Sequence, residues 1–349
     1  MGGDADRRLR IEHEAVLNRQ RQTLALMKRS IVRATRALLA ASLLGALLAS
    51  ANVAQSQPAT TPIVVALAHT IDATPLYYAL RQGLFEKAGI SVTLNAMASG
   101  GLATVAVVGG SAQVGLANTL SDTTAHEKNI PLLMIAGAGL YDAAAPLARI
   151  FVSSDSPIRT AKDLENHVVA VSGLHDLLVL SVKAWLAQGG VDPANVHFVE
   201  IAQAAMLPAL EQKRVDAIAN FEPFATAVET SGHARTLAAP YTAIARQFLV
   251  TAWFVHGPWA AAHRDVALRF AQVIHQATLY SNAHIQEMVP IVASYTGMTP
   301  EVAAQALRTQ KRAASLNPAQ IQPVIDAAAK FHEMSASFPA RDVVMPGVP

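Results

Sequence analysis

Five places in this chain set short polar or glycine-rich stretches directly after an apolar run. His69, Thr70, Asp72 and Thr74 follow Ile63–Ala68. Ser99, Gly100 and Gly101 follow Ser91–Ala96, and Asn118 and Thr119 follow Gln113–Ala117. Ser172, Gly173, His175 and Asp176 close Val168–Ser172, and Asn220 and Glu222 follow Val215–Ala219. A further apolar run, Phe248–Val255, contributes Thr251 and Trp253. Hydroxyls, amides, carboxylates and glycines in such places can hold a small molecule by hydrogen bonds, with glycine letting it approach the backbone. Each also has a plainer role: Asn118, Asp176 and Glu222 can cap the helices that follow them, and Ser99-Gly100-Gly101 can be a turn.

Bond-breaking chemistry finds little support. There is no cysteine, which removes thiolate metal sites, a cysteine nucleophile and disulfides. Gly109-Gly110-Ser111-Ala112-Gln113 lacks the last glycine of a nucleophile elbow. No HExxH occurs, and the twelve histidines are scattered without ligand spacing. Gly137-Ala138-Gly139 follows a strand but lacks the third glycine and the long helix of a dinucleotide site, so it reads as a loop. No cofactor and no enzymatic activity are expected.

The elements that must position these residues alternate. Apolar runs of five or six residues are separated by helical stretches, Pro75–Lys87, Gly101–Val108, Leu120–Glu127, Leu177–Gln188, Gln203–Lys213 and Glu222–Glu229. That alternation predicts an α/β fold with mostly parallel sheets. A chain of 349 residues, 52% hydrophobic, is too long for one ordinary core and suits two lobes. The pattern restarts after Ser156-Pro157: residues 62–150 form a first lobe, 151–247 a second, and 248–337 return to the first and add helices. Arg149–Ser153 and Phe248–Val255 are expected to be the crossovers. A weak echo, Val114-Gly115-Leu116-Ala117-Asn118 against Val215-Asp216-Ala217-Ile218-Ala219-Asn220, fits two lobes built alike. Residues 338–349, with three prolines, are expected to be loose. Thr74 is expected to cap a helix that begins at Pro75.

Residues 1–51 read as a leader. Ala37–Ala51 is a 15-residue apolar run behind a basic segment from Met27, short for a membrane span and suited to a signal peptide processed after Ala49-Ser50-Ala51. Translation is expected to begin at Met27. The leader holds nine Lys/Arg and four Asp/Glu, leaving 18 basic against 21 acidic residues, so the body carries about −3 rather than the overall +2. Such a body has no basic footprint for nucleic acid. It has no later apolar segment long enough to insert in a membrane.

Several motifs in order then resemble a known family. Pro75-Leu76-Tyr77-Tyr78-Ala79 with Gly83-Leu84-Phe85-Glu86-Lys87-Ala88-Gly89-Ile90 is similar to the opening motif of the nitrate/sulfonate/taurine and thiamine-pyrimidine-precursor binding proteins of ABC importers. Ser156-Pro157-Ile158 with Ala161-Lys162-Asp163-Leu164 resembles their inter-lobe signature, and Phe221-Glu222-Pro223 their Trp-Glu-Pro segment. Phe221 and Gly115 depart from the usual Trp and Asp, and Asn166-His167 from a common Gly-Lys. The resemblance spans residues 62–300. It implies a two-lobed periplasmic binding protein of the second type, an importer permease as partner, a periplasmic location and a monomer. It also implies a ligand cleft at His69, Asp72, Thr74, Ser99, Gly100, Gly101, Asn118, Thr119, Ser172, His175, Asp176, Asn220, Glu222 and Trp253. A sensor module using the same cleft, or a pyrimidine-precursor enzyme on the same fold, are the alternatives; the fungal enzyme's cysteine-rich motif is missing here. The roster contains three carboxylates and no obvious Lys or Arg, which favours a ligand with N–H donors or a ring over an anion.

Overall fold

A computed structural model describes residues 60–97, 99–222 and 224–349. The leader, its Met27 start and its processing site lie outside the described residues, as does Pro223 of the Phe-Glu-Pro segment.

The chain runs β1 (Thr61–Leu67), α1 (Thr74–Arg81), α2 (Leu84–Lys87), β2 (Ile90–Ala96), α3 (Gly100–Val108), β3 (Val114–Asn118), α4 (Thr119–Glu127) and β4 (Leu132–Gly137). Then come β5 (Gly139–Asp142), β6 (Ala148–Ser153), β7 (Val168–Val171), α5 (Leu177–Gln188), β8 (His197–Glu200), α6 (Gln203–Glu211), β9 (Ala217–Phe221), α7 (Phe224–Thr230) and β10 (Ala234–Ala238). The chain returns through β11 (Gln247–Leu249) and β12 (Thr251–His256). It finishes with α8 (Gly257–Ala262), α9 (Arg264–Ala283), α10 (Ile285–Thr296), α11 (Pro300–Thr309), β13 (Lys311–Arg312) and α12 (Pro318–Lys330).

Two five-stranded sheets result, in the orders β2-β1-β3-β12-β4 and β10-β6-β9-β7-β8. In each, three neighbouring strands are parallel: β1 pairs with β2 and β3, and β7 with β8 and β9. Antiparallel partners complete each sheet, β12 in the first and β6 and β10 in the second. This is the two-lobed α/β architecture expected from the alternation of runs. Continuous apolar strands such as Val114–Asn118 and Ala217–Phe221 sit centrally, buried on both faces, as parallel strands require.

The link between the lobes differs from the expectation. Arg149–Ser153 lies inside β6, paired on both sides with β9 and β10, so it belongs to the second sheet. The chain crosses one strand earlier, through β5. It returns through β11, which overlaps only the first residues of the expected Phe248–Val255 run; from Thr251 onward that run is β12 of the first sheet. β5 and β11 pair antiparallel, Phe248 opposite Tyr141, and β13 joins on the other edge of β5. A four-residue strand beginning in glycine carries no periodicity of its own, whereas a buried central strand and a buried crossover read alike in sequence. The small sheet is held by an aromatic cluster of Tyr141, Tyr241 and Phe248, with ring centroids 5.2–5.4 Å apart.

Two further expectations are corrected. The helix from Pro75 breaks at Gly83, which is left-handed (φ 62°), and resumes as α2. The C-terminal residues are docked rather than loose: Val343 and Met345 are buried, the Met345 N–H donates to the Met134 carbonyl at 3.0 Å, and the Arg264 guanidinium donates to the Pro346 carbonyl at 2.6 Å. Prolines gave that segment its turns, while two apolar side chains anchor it.

Candidate functional site

In open α/β sheets, ligand-facing residues lie beyond the carboxyl ends of the parallel strands, where helices begin. Several expected residues stand there and are used as caps. Ser99 accepts from the Leu102 N–H at 3.3 Å, Asn118 from Ser121 at 2.8 Å, and Asp176 from Val179 at 2.9 Å while also accepting from the Ser172 hydroxyl at 2.8 Å. Gly100 packs on the Ala117 backbone, where a Cβ would come within 3.0 Å, so glycine is needed for α3 to approach β3. Gly101 is exposed, and a Cβ there would meet only the Ser99 hydroxyl at 3.8 Å. Thr74 does not cap α1. It is the first helical residue, capped position falling to Ala73, and its hydroxyl donates to the Ile71 carbonyl at 2.6 Å. Thr119 is fully buried, its hydroxyl spent on the Leu249 carbonyl of β11 at 2.8 Å.

Asp72 reaches the link between lobes. It accepts from the Thr251 hydroxyl at 2.8 Å, and that hydroxyl accepts from the Gly139 N–H at 2.7 Å. A side chain at position 139 would collide with the Asp72 carboxylate at 2.7 Å, so the glycine makes room for the acid. Burial pushes the Asp72 carboxyl above its usual range, opposed by the Thr251 hydrogen bond and the nearby charge of Arg312. Asp176 is also raised, chiefly by burial. The Tyr241 phenol is pushed up first by burial, then by Asp176 and Asp72.

Glu222, at the end of β9, is buried and pairs with Arg149 of β6 at 3.0 Å; its other oxygen accepts from the Thr226 N–H at 3.1 Å. The helix after β9 is therefore capped by a carboxylate that already has its own cation. Asn220 is completely buried and neither amide atom has a partner. Unlike Asn118 it caps nothing, so the echo between the two strands is one of sequence rather than role. Trp253 sits in the core of the first lobe, edge-on to Phe270 with centroids 5.8 Å apart, because β12 is flanked by β3 and β4. His69 is exposed and meets the edges of Tyr77 and Tyr295, which stack at 3.9 Å. His175 is exposed and reaches Glu333 beyond α12 at 3.1 Å.

A cleft of about 510 Å³ opens between α7 of the second lobe and α11 of the C-terminal helices, with Glu222 at its edge and Phe224 and Val302 among its walls. Of the residues expected from sequence, Glu222 alone lines it.

Sequence reasoning missed Arg149, Arg312, Tyr241, Tyr77 and Tyr295. Arg312 is buried on a two-residue strand, donating to Asn282 at 3.0 Å. A Lys-Arg pair after a helix reads as solvated surface, and nothing local marks the burial of Arg312 against Asn282, thirty residues earlier in the chain. Of the three expected acids, Glu222 has a cation of its own in Arg149, so a cation behind the cleft edge was missed from sequence.

A family model described as NMT1/THI5 like matches residues 70–288, well over half of the chain. The chain belongs to the NMT1/THI5-like family. Among curated protein sequences none matches. The periplasmic aliphatic sulphonate binding protein SsuA from Escherichia coli is 17% identical, with a TM-score of 0.68, covering 81% of this NMT1/THI5-like chain and 92% of its own. The alkanesulfonate-binding protein SsuA from Xanthomonas axonopodis pv. citri, bound to MOPS, is 19% identical with a TM-score of 0.67, covering 83% and 99%. The desulfurization enzyme DszB, 14% identical with a TM-score of 0.63, covers 82% and 97%. At such identities the likeness shows the periplasmic-binding-protein fold, which has carried both binding and catalysis.

Proposed function

We propose that this protein is the substrate-binding component of an ABC importer: exported by its leader, it captures a small organic molecule between its lobes and presents the closed form to a permease. The observation that carries the reading is the hinge. Two lobes are joined by β5 and β11, hydrogen-bonded to one another, and Asp72 of the first lobe is tied to the start of β5 through the Thr251 hydroxyl, which donates to it at 2.8 Å and accepts from the Gly139 N–H at 2.7 Å. A ligand that touches both lobes shifts the open–closed balance by its differential affinity, which is all that delivery requires. The family and the fold likeness to sulfonate-binding proteins support that role. Two absences among the described residues are compatible with it: no helix is long and apolar enough to cross a membrane, and no group of metal-ligating side chains is assembled. The periplasmic location, the monomeric state and the contact roles of Asp72, Asn118, Asp176 and Glu222 are parts of the same proposal.

A thermal-shift screen against sulfonates, nitrate, pyrimidines, flavins and aromatic acids tests it. A true ligand at a hundred times its dissociation constant stabilises the folded state by about 2.7 kcal/mol. Turnover of any compound, or binding with no change in lobe separation, would count against a delivery protein.

A further inference from the structure

We propose that the cleft between α7 and α11 selects an organic cation, an amine carried on an apolar body such as an arylalkylamine. This rests on the importer reading and names the class of molecule imported. The walls carry more free acceptors than free donors. The Thr226 N–H, one of the first-turn donors that the helix itself leaves unpaired, is spent on Glu222 at 3.1 Å. The Thr230 hydroxyl donates to the Thr226 carbonyl at 2.9 Å, and Thr309 donates to the carbonyls of Gln305 and Ala306 at 3.3 and 3.2 Å. Both threonines therefore turn their protons into their own helices and leave lone pairs for a guest. Among the lining side chains, the donors left for a guest are the Gln305 amide and the Thr226 hydroxyl, which makes no hydrogen bond of its own among the described residues.

Charge points the same way. Glu222 and Glu301 line the cleft, and no lysine or arginine does. Arg149 lies behind Glu222 and is shared with Glu229 at 3.9 Å, so its charge is already balanced. Glu301 is exposed in the first turn of α11, and its own backbone N–H and the Thr299 hydroxyl hold its carboxyl below the usual range, so it is ionised at neutral pH. An ammonium has three donors and no acceptor, the complement of walls with two carboxylates and two threonine lone-pair sites; a sulfonate or nitrate has only acceptors and would find no cation and only the Gln305 amide and Thr226 hydroxyl as side-chain donors. The apolar body has a place as well. Phe224 and Val302 are 37% and 43% exposed, unusual for large apolar side chains, and both belong to the cleft. An aromatic face beside a carboxylate also attracts a cation directly.

The test is calorimetry on the purified full-length protein at pH 7 and low salt with three ligands of one body: 2-phenylethylamine, 2-phenylethanol and 2-phenylethanesulfonate. The amine is expected to bind at least about tenfold tighter than the alcohol, and the sulfonate more weakly than either. Glu301→Gln should weaken the amine roughly two- to fivefold and leave the alcohol unchanged. Val302→Lys, which puts an ammonium on the wall, should abolish amine binding and improve the sulfonate. Equal or tighter binding of the sulfonate by the native protein, or amine affinity indifferent to both substitutions, overturns the inference. If the sulfonate binds and the lobes close on it, the importer reading stands without the cation. If none of the three binds, the cation is refuted as the guest and the wider screen decides the importer reading alone.

Discussion

Replacing Glu222 by Gln removes the carboxylate that Arg149 was buried to meet. The pair lies 3.0 Å apart, with 3% of the Glu222 side chain exposed and 15% of Arg149. At an effective dielectric of about 20, two unit charges at that separation attract by roughly 5–6 kcal/mol. Desolvation of both ions takes back most of this, so the pair's net worth against an apolar pair is small. Breaking it from one side is different, because the guanidinium stays buried without its partner, a loss of about 3–5 kcal/mol in fully enclosed pairs. Here Glu229 at 3.9 Å gives Arg149 a second carboxylate, and the Gln amide can still accept from Thr226. Glu222→Gln should therefore cost about 2–3 kcal/mol, Arg149→Met a similar amount, and the double variant less than their sum by roughly 1–2 kcal/mol. Urea unfolding at pH 7, with midpoints compared at constant slope, reads all three. A cost below about 0.5 kcal/mol for Glu222→Gln, or strict additivity in the cycle, would refute the assignment of this pair as a buried, coupled unit at the cleft edge.

Gly115 stands against Phe254, whose ring would lie 2.3 Å from an added Cβ; Gly115→Ala should cost about 1–3 kcal/mol by overpacking, and Phe254→Leu in the same chain should recover part of it, both read by denaturant midpoint. Asp122 is fully buried with neither oxygen partnered, and burial holds its carboxyl well above the usual range. A raised native pKa means the folded state binds the extra proton, so the stabilisation is complete below the unfolded value near 3.9 and is lost as pH rises toward the native one. Asp122→Asn should remove that decline, so the variant gains on the native protein between pH 4 and pH 8, by about 1–3 kcal/mol at the upper end; parallel stability–pH curves would contradict this. Met345→Ala should cost about 2–5 kcal/mol if the C-terminal residues are docked as described, and nothing measurable if they are loose.

The fold was legible because parallel strands buried on both faces announce themselves: Val114–Ala117 and Ala217–Ala219 are continuous apolar runs closed by Asn118 and Asn220. The caps were legible for the same reason, since Ser, Asn and Asp at a strand end have short side chains that reach the next helix's first N–H groups, as Ser99, Asn118 and Asp176 do. The hinge was not. β5 is four residues and β13 two, and a strand that short has no period; its identity comes from pairing with residues a hundred or more positions away. The site was half legible. Glu222 was found as an acid beside a helix start, but its cation, Arg149, comes from β6, more than seventy residues earlier, and without it the strand-end acids looked less compensated than they are. Trp253 misled because a tryptophan on a buried strand looks the same whether it faces core or cleft, and here β12 turns it toward Phe270.

The central claim is that the lobes move relative to one another about β5 and β11 when a ligand binds. The chain has no cysteine, so an introduced pair takes spin labels uniquely. Leu102→Cys on α3 and Ala204→Cys on α6 place exposed labels at the start of one helix in each lobe. Double electron–electron resonance is expected to give a broad distance distribution in the free protein that narrows and shifts to shorter distances with the compound giving the largest thermal shift. One narrow distance, unchanged by any compound that binds, would contradict the account.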